Sequence, residues 1–100
     1  FQNPTFGEPR FTDGWISELI SVILMRRFEA DPTGFVRALA LATKDQAEMV
    51  GFSLACDAKY RDLDAFRDRV EGLKEIIPSE EGVIDVILQQ IDLYKRYNAR

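Results

Sequence analysis

The chain is 100 residues long, 46% hydrophobic, and carries 17 acidic against 13 basic side chains for a net charge of −4. That length and balance describe one globular domain and exclude a disordered, low-hydrophobicity segment. They also argue against a nucleic-acid or anionic-membrane partner, since either repels an acidic domain.

Residues 1–11 hold Pro4, Gly7 and Pro9 without periodicity, which predicts an extended N-terminal arm. Phe1, Phe6 and Phe11 make it an arm that packs on something, and residues 12–100 form the single domain. Thr12 and Asp13 are suitable N-caps for a first helix running to about Phe28. Its apolar positions are Trp15, Ile16, Leu19, Ile20, Val22, Ile23, Leu24 and Phe28. That stripe is wider than one face, so this helix is expected to be buried on more than one side.

Asp31-Pro32 restarts a helix with proline at the first position, where a missing N–H costs nothing, and it runs to about Ala42. Thr43 with Gln46 three residues on matches a capping box and opens a helix from Lys44 to about Ala58. Asp62 caps the next, whose apolar residues Leu63, Phe66, Val70, Leu73 and Ile77 recur every three or four positions and stop before Pro78. Ser79 is the expected cap of a last helix carrying Val83, Ile84, Ile87, Leu88, Ile91 and Tyr94.

The expected fold is therefore all-α, with five helices in antiparallel hairpins. A rival stays open. Val50, Phe52, Leu54 and Cys56 alternate with smaller or polar residues, and Ile20–Leu24 and Val83–Ile87 are rich in β-branched residues. An α+β ferredoxin-like module that binds a small regulatory ligand would show the same features. Length favours helices, because the last apolar segment keeps helical spacing for about four turns, longer than a typical strand.

Histidine is absent, which removes the commonest general base, the Ser-His and Cys-His pairs and the commonest metal ligand. One cysteine, Cys56, cannot make an intrachain disulfide or a zinc site, and its solitude points to a reducing, intracellular compartment. Its apolar setting beside Leu54 and Ala55 marks a buried structural thiol. No glycine-rich phosphate loop or calcium-loop pattern occurs. Asp62, Asp64, Asp68, Glu71 and Glu75 cluster on one helix, but Arg61, Arg67, Arg69 and Lys74 lace the same segment, so a solvated face is expected, with Arg67 and Glu71 paired at i,i+4. Arg26-Arg27 and Lys95-Arg96 lie at helix C-termini, where the helix dipole favours cations. The longest apolar run, Val22 to Met25, is far below the ~20 residues of a membrane span. The start at Phe1 rather than Met suggests a processed or trimmed N-terminus.

The segment from Ser53 to Ile91 reads as a helix, a turn through Tyr60-Arg61-Asp62, a helix ending at Pro78 and a further helix. This resembles helical-hairpin proteins of the tetratricopeptide kind. Leu54-Ala55-Cys56, Ala65-Phe66-Arg67, Lys74 and Gln89-Gln90-Ile91 are similar to the cytochrome c oxidase subunit Va family. The likeness covers about 40 residues, does not fill the tetratricopeptide Trp, Gly and Ala positions in register, and has no counterpart for Arg26 to Ala47. It implies a five-helix superhelix without catalytic residues, on the matrix side of the mitochondrial inner membrane.

Together these readings lead to an expectation of a non-catalytic subunit of a larger assembly, with no cofactor, bound to protein partners. The resemblance narrows this to an accessory subunit of a respiratory complex. A phage or bacterial adaptor is the other non-enzymatic expectation. The residues expected at the interface are Phe6, Phe11, Trp15, Leu19, Tyr94 and Tyr97, because aromatic and large apolar side chains anchor interfaces.

Overall fold

The computed structural model describes residues 17–98, with side-chain surroundings for 18–97. Among them are five α-helices, one 3₁₀ turn and no strand: α1 (Ser17–Ala30), α2 (Pro32–Leu39), α3 (Lys44–Ala58), α4 (Leu63–Ile76), the 3₁₀ turn Pro78–Glu80, and α5 (Glu81–Asn98). The chain is all-α. Residues 50–56, the best strand candidate, lie inside α3, and the β-branched stretches of 20–24 and 83–87 lie inside α1 and α5. Local β preference is overridden because each segment buries residues at three- and four-residue spacing.

The helix boundaries follow their caps. The Asp31 carboxylate accepts the Gly34 N–H at 3.1 Å, with Pro32 in the first turn of α2. The capping box is closed from both sides: Thr43 Oγ1 accepts the Gln46 N–H at 3.1 Å, and Gln46 Oε1 accepts the Thr43 N–H at 3.1 Å. Asp62 accepts the Ala65 N–H at 3.0 Å. Each bond satisfies a donor that the first helical turn leaves without an intrahelical partner.

Three expectations need correction. α2 ends at Leu39 rather than Ala42. Leu41 and Ala42 bond three residues back, to Ala38 and Leu39, and so tighten the chain into the extended Thr43 cap. Ser79 does not cap the last helix. It lies in the 3₁₀ turn after Ile77, whose φ of −131° and ψ of 68° show the non-helical backbone that a following proline favours, and α5 starts at Glu81. Finally, the described part of α1 is buried on one side only. Ser21, Met25 and Phe28 point inward, while Leu19, Ile20 and Ile23 remain largely open to solvent.

α3 lies between α1 and α5, and α4 packs on α5. Met25 and Phe28 of α1, Val36 and Leu39 of α2, Leu54 of α3, Phe66 and Val70 of α4, and Ile84, Ile87 and Ile91 of α5 form one continuous core. Phe28 is its hub, meeting Phe35 and Phe66 edge-on at 5.7 and 5.3 Å. Edge-to-face packing places the positive edge of one ring against the negative face of the next. α3 and α5 approach closely at Gly51, where an added Cβ would sit 3.2 Å from the Ile87 Cα.

Candidate interaction surface

No helix among the described residues is long and apolar enough to cross a membrane. The exposed apolar residues are the candidates for a contact surface. On α1, Leu19, Ile20 and Ile23 are 50%, 46% and 48% exposed. Their spacing puts them on one face, because a helix turns about 100° per residue. The inward side of the same helix is occupied by Met25 and Phe28, so this face is a second apolar surface and not part of the core. Arg26 and Arg27 continue it toward the helix C-terminus, and both are exposed. Leu19, Ile23 and Arg27 follow one another at four-residue steps.

Beside it lies a cleft of about 490 Å³ between α1, the C-terminal end of α3 and α5. Glu18, Ser21 and Val22 form one wall, Cys56, Asp57, Lys59 and Tyr60 the other, and Tyr94 closes it. Asp57 is buried. Among the described residues its Oδ2 has no hydrogen-bond partner, and Arg61 lies 3.9 Å away. The Lys59 ammonium lies over the Tyr94 ring, 5.7 Å from its centre. Burial pushes the Cys56 thiol above its ordinary value, against the opposing pull of Lys59 and the Tyr94 hydrogen bond. The thiolate is thus disfavoured at neutral pH, and the thiol is a poor nucleophile there.

Of the residues expected at an interface, Phe6, Phe11 and Trp15 lie outside the described residues. Leu19 sits on the open face of α1. Tyr94 belongs to the core, stacked edge-on against Phe52 at 5.2 Å, whereas Tyr97 is exposed. The two tyrosines lie a step of three residues apart on α5, yet α3 covers only the first. Ile20 and Ile23 were legible as apolar but not as exposed, because the sequence does not say which part of a wide stripe the neighbouring helices cover.

The acidic residues of α4 are distributed as a solvated face. Asp62 is a cap, Asp64 pairs with Lys95 at 2.6 Å, and Glu71 pairs with Arg67 at 3.0 Å. Among the described residues no three His, Cys, Asp or Glu side chains gather where a metal ion could be held. Comparison with known proteins returns no match, whether to a family model, a curated protein or a solved structure.

Proposed function

We propose that this chain is a non-catalytic helical subunit that joins a larger protein assembly through the outer face of α1. The observation that carries the reading is the row Leu19, Ile20 and Ile23, half-exposed on a helix whose other side already supplies the core. Fully burying such a side chain contributes roughly 1.5–3 kcal/mol, so covering the exposed halves of three contributes about 2–4 kcal/mol. A domain of this size has little stability to spare. The absence of histidine and the thiolate-disfavouring setting of the one cysteine support a role without chemistry of its own.

The test is isolation of the chain from its own cells at native abundance, beside the variant Ile23→Asp. The expected result is a defined complex that the variant fails to join while retaining its helical circular dichroism spectrum. A lone monomer that melts cooperatively at high temperature, with or without the substitution, would overturn the proposal. The narrower role of accessory subunit in a mitochondrial respiratory complex is supported by the resemblance of Ser53–Ile91. Co-migration with respiratory complexes on native gels is its test.

A further inference from the structure

We infer that the partner element seated on the outer face of α1 is an amphipathic helix with acidic residues in its first turn, packed antiparallel to α1. The inference rests on the proposed function and specifies the chemistry of the partner. Arg26 and Arg27 are exposed, and neither has an ion pair among the described residues; Arg37, Lys44, Lys59 and Arg96 are unpaired as well, but of these six only Arg26 and Arg27 lie on α1 beside the apolar row. Glu29, the nearest acid in sequence, is already held by Arg61 at 2.9 Å. In an acidic chain, two uncompensated arginines next to three exposed apolar side chains are a local surplus of positive charge at the end of an apolar stripe.

The helix dipole accounts for cations near the C-terminus of α1, and it also fixes the direction of the partner. Acidic side chains are most favourable in the first turn of a helix. A partner that brings them to Arg26 and Arg27 while its following apolar residues meet Ile23, Ile20 and Leu19 must run antiparallel.

A second copy of α1 does not meet this requirement. Its first-turn acid, Glu18, sits about 140° around the helix from Ile23 and lines the cleft instead. Self-pairing of the described helix would cover the apolar row without bringing an acid of its first turn to the arginines. The net charge of −4 argues equally against an anionic membrane as the occupant.

The probe is a synthetic helical peptide of about 18 residues with glutamates in its first turn and leucines at i, i+4, i+7 and i+11. Its control carries lysines in place of the glutamates. Binding to the full chain is read by fluorescence anisotropy at low and high salt. The glutamate peptide is expected to bind roughly three- to tenfold tighter than the lysine peptide at low salt, with a preference that shrinks as salt is raised. The double variant Arg26→Glu/Arg27→Glu reverses the preference, and Ile23→Asp abolishes binding of both peptides; because these positions are exposed, loss of the fold is not the cause of either change.

Equal binding of the two peptides overturns the inference. So does binding of neither, the outcome when a second copy or residues 1–16 occupy the face; sedimentation equilibrium identifies the second copy. Should the peptides fail while Ile23→Asp still removes the chain from its native complex, the acidic partner falls and the proposed function stands.

Discussion

Arg67 of α4 and Asp92 of α5 meet in a forked ion pair, with Nε donating to Oδ1 at 2.8 Å and the second guanidinium nitrogen donating to Oδ2 at 3.2 Å. Asp64 and Lys95 pair at 2.6 Å, as do Lys74 and Asp85. The step from Asp64 to Arg67 along α4 is matched by the step from Lys95 back to Asp92 along α5. The seven residues from Arg67 to Lys74 are matched by the seven from Asp92 to Asp85. The three pairs therefore share one antiparallel register, and they flank the apolar seam of Phe66, Val70 and Leu73 against α5. Partly exposed pairs of this kind contribute little energy each, but a shifted register would break all three.

Acidification should expose this arrangement. The Arg67 guanidinium holds the Asp92 carboxyl below its ordinary range. A depressed carboxyl contributes stability above its unfolded value of about 3.9, and that contribution is lost as pH falls through the lower folded value. The expected result is a urea midpoint that Asp92→Asn lowers more at pH 7 than at about pH 3, because the contribution declines once the pH is below the unfolded carboxyl value. Because Asp92 is partly solvated, the neutral-pH cost stays below ~1 kcal/mol, and added salt reduces it. An equal effect of the variant at both pH values would contradict the assignment.

Two glycines should respond oppositely to an added side chain. Gly72 lies in the middle of α4 with open space where a Cβ would project, so Gly72→Ala should raise stability by about 0.5–1 kcal/mol through helix propensity and a less flexible unfolded chain. Gly51 gains the same propensity, but its Cβ would press on the Ile87 backbone and on Gln90. Gly51→Leu should cost about 1–3 kcal/mol or more by forcing α3 and α5 apart. Chemical denaturation of the two variants beside the parent protein decides both.

The row on α1 should tolerate polarity that the core does not. Ile23→Asp is expected to cost no more than about 1.5 kcal/mol, since only half of the side chain is buried. Leu54→Ala, at a fully buried site, should cost about 2–5 kcal/mol. Comparable losses in thermal denaturation would show that the face of α1 is part of the folded core.

Cys56 should react slowly. Its raised thiol and partial burial predict that a disulfide reagent at pH 8 labels the native protein far more slowly than the urea-unfolded chain. Tyr94→Phe removes the hydrogen bond that favours the thiolate, so it should slow labelling further. Faster labelling in that variant would show that Tyr94 acts as a lid rather than as a donor.

Much of the architecture was determined by the sequence alone. Asp31, Thr43, Gln46 and Asp62 mark helix starts because their side-chain acceptors serve backbone N–H groups three residues away, a relationship contained within one turn. Pro78 marks an end for a reason equally local. The i,i+4 pair of Arg67 and Glu71 was legible on the same ground. Tertiary structure decided what depends on residues distant in the chain. It placed Asp92 rather than solvent beside Arg67, it buried Tyr94 against Phe52 while leaving Tyr97 outside, and it brought Gly51 against Ile87. It also left Leu19, Ile20 and Ile23 uncovered. Periodicity states that a residue is apolar and where it lies around a helix, but only the packing of the other helices states whether anything covers it. That is why the candidate interaction surface became visible as a face of α1 only once the chain was folded.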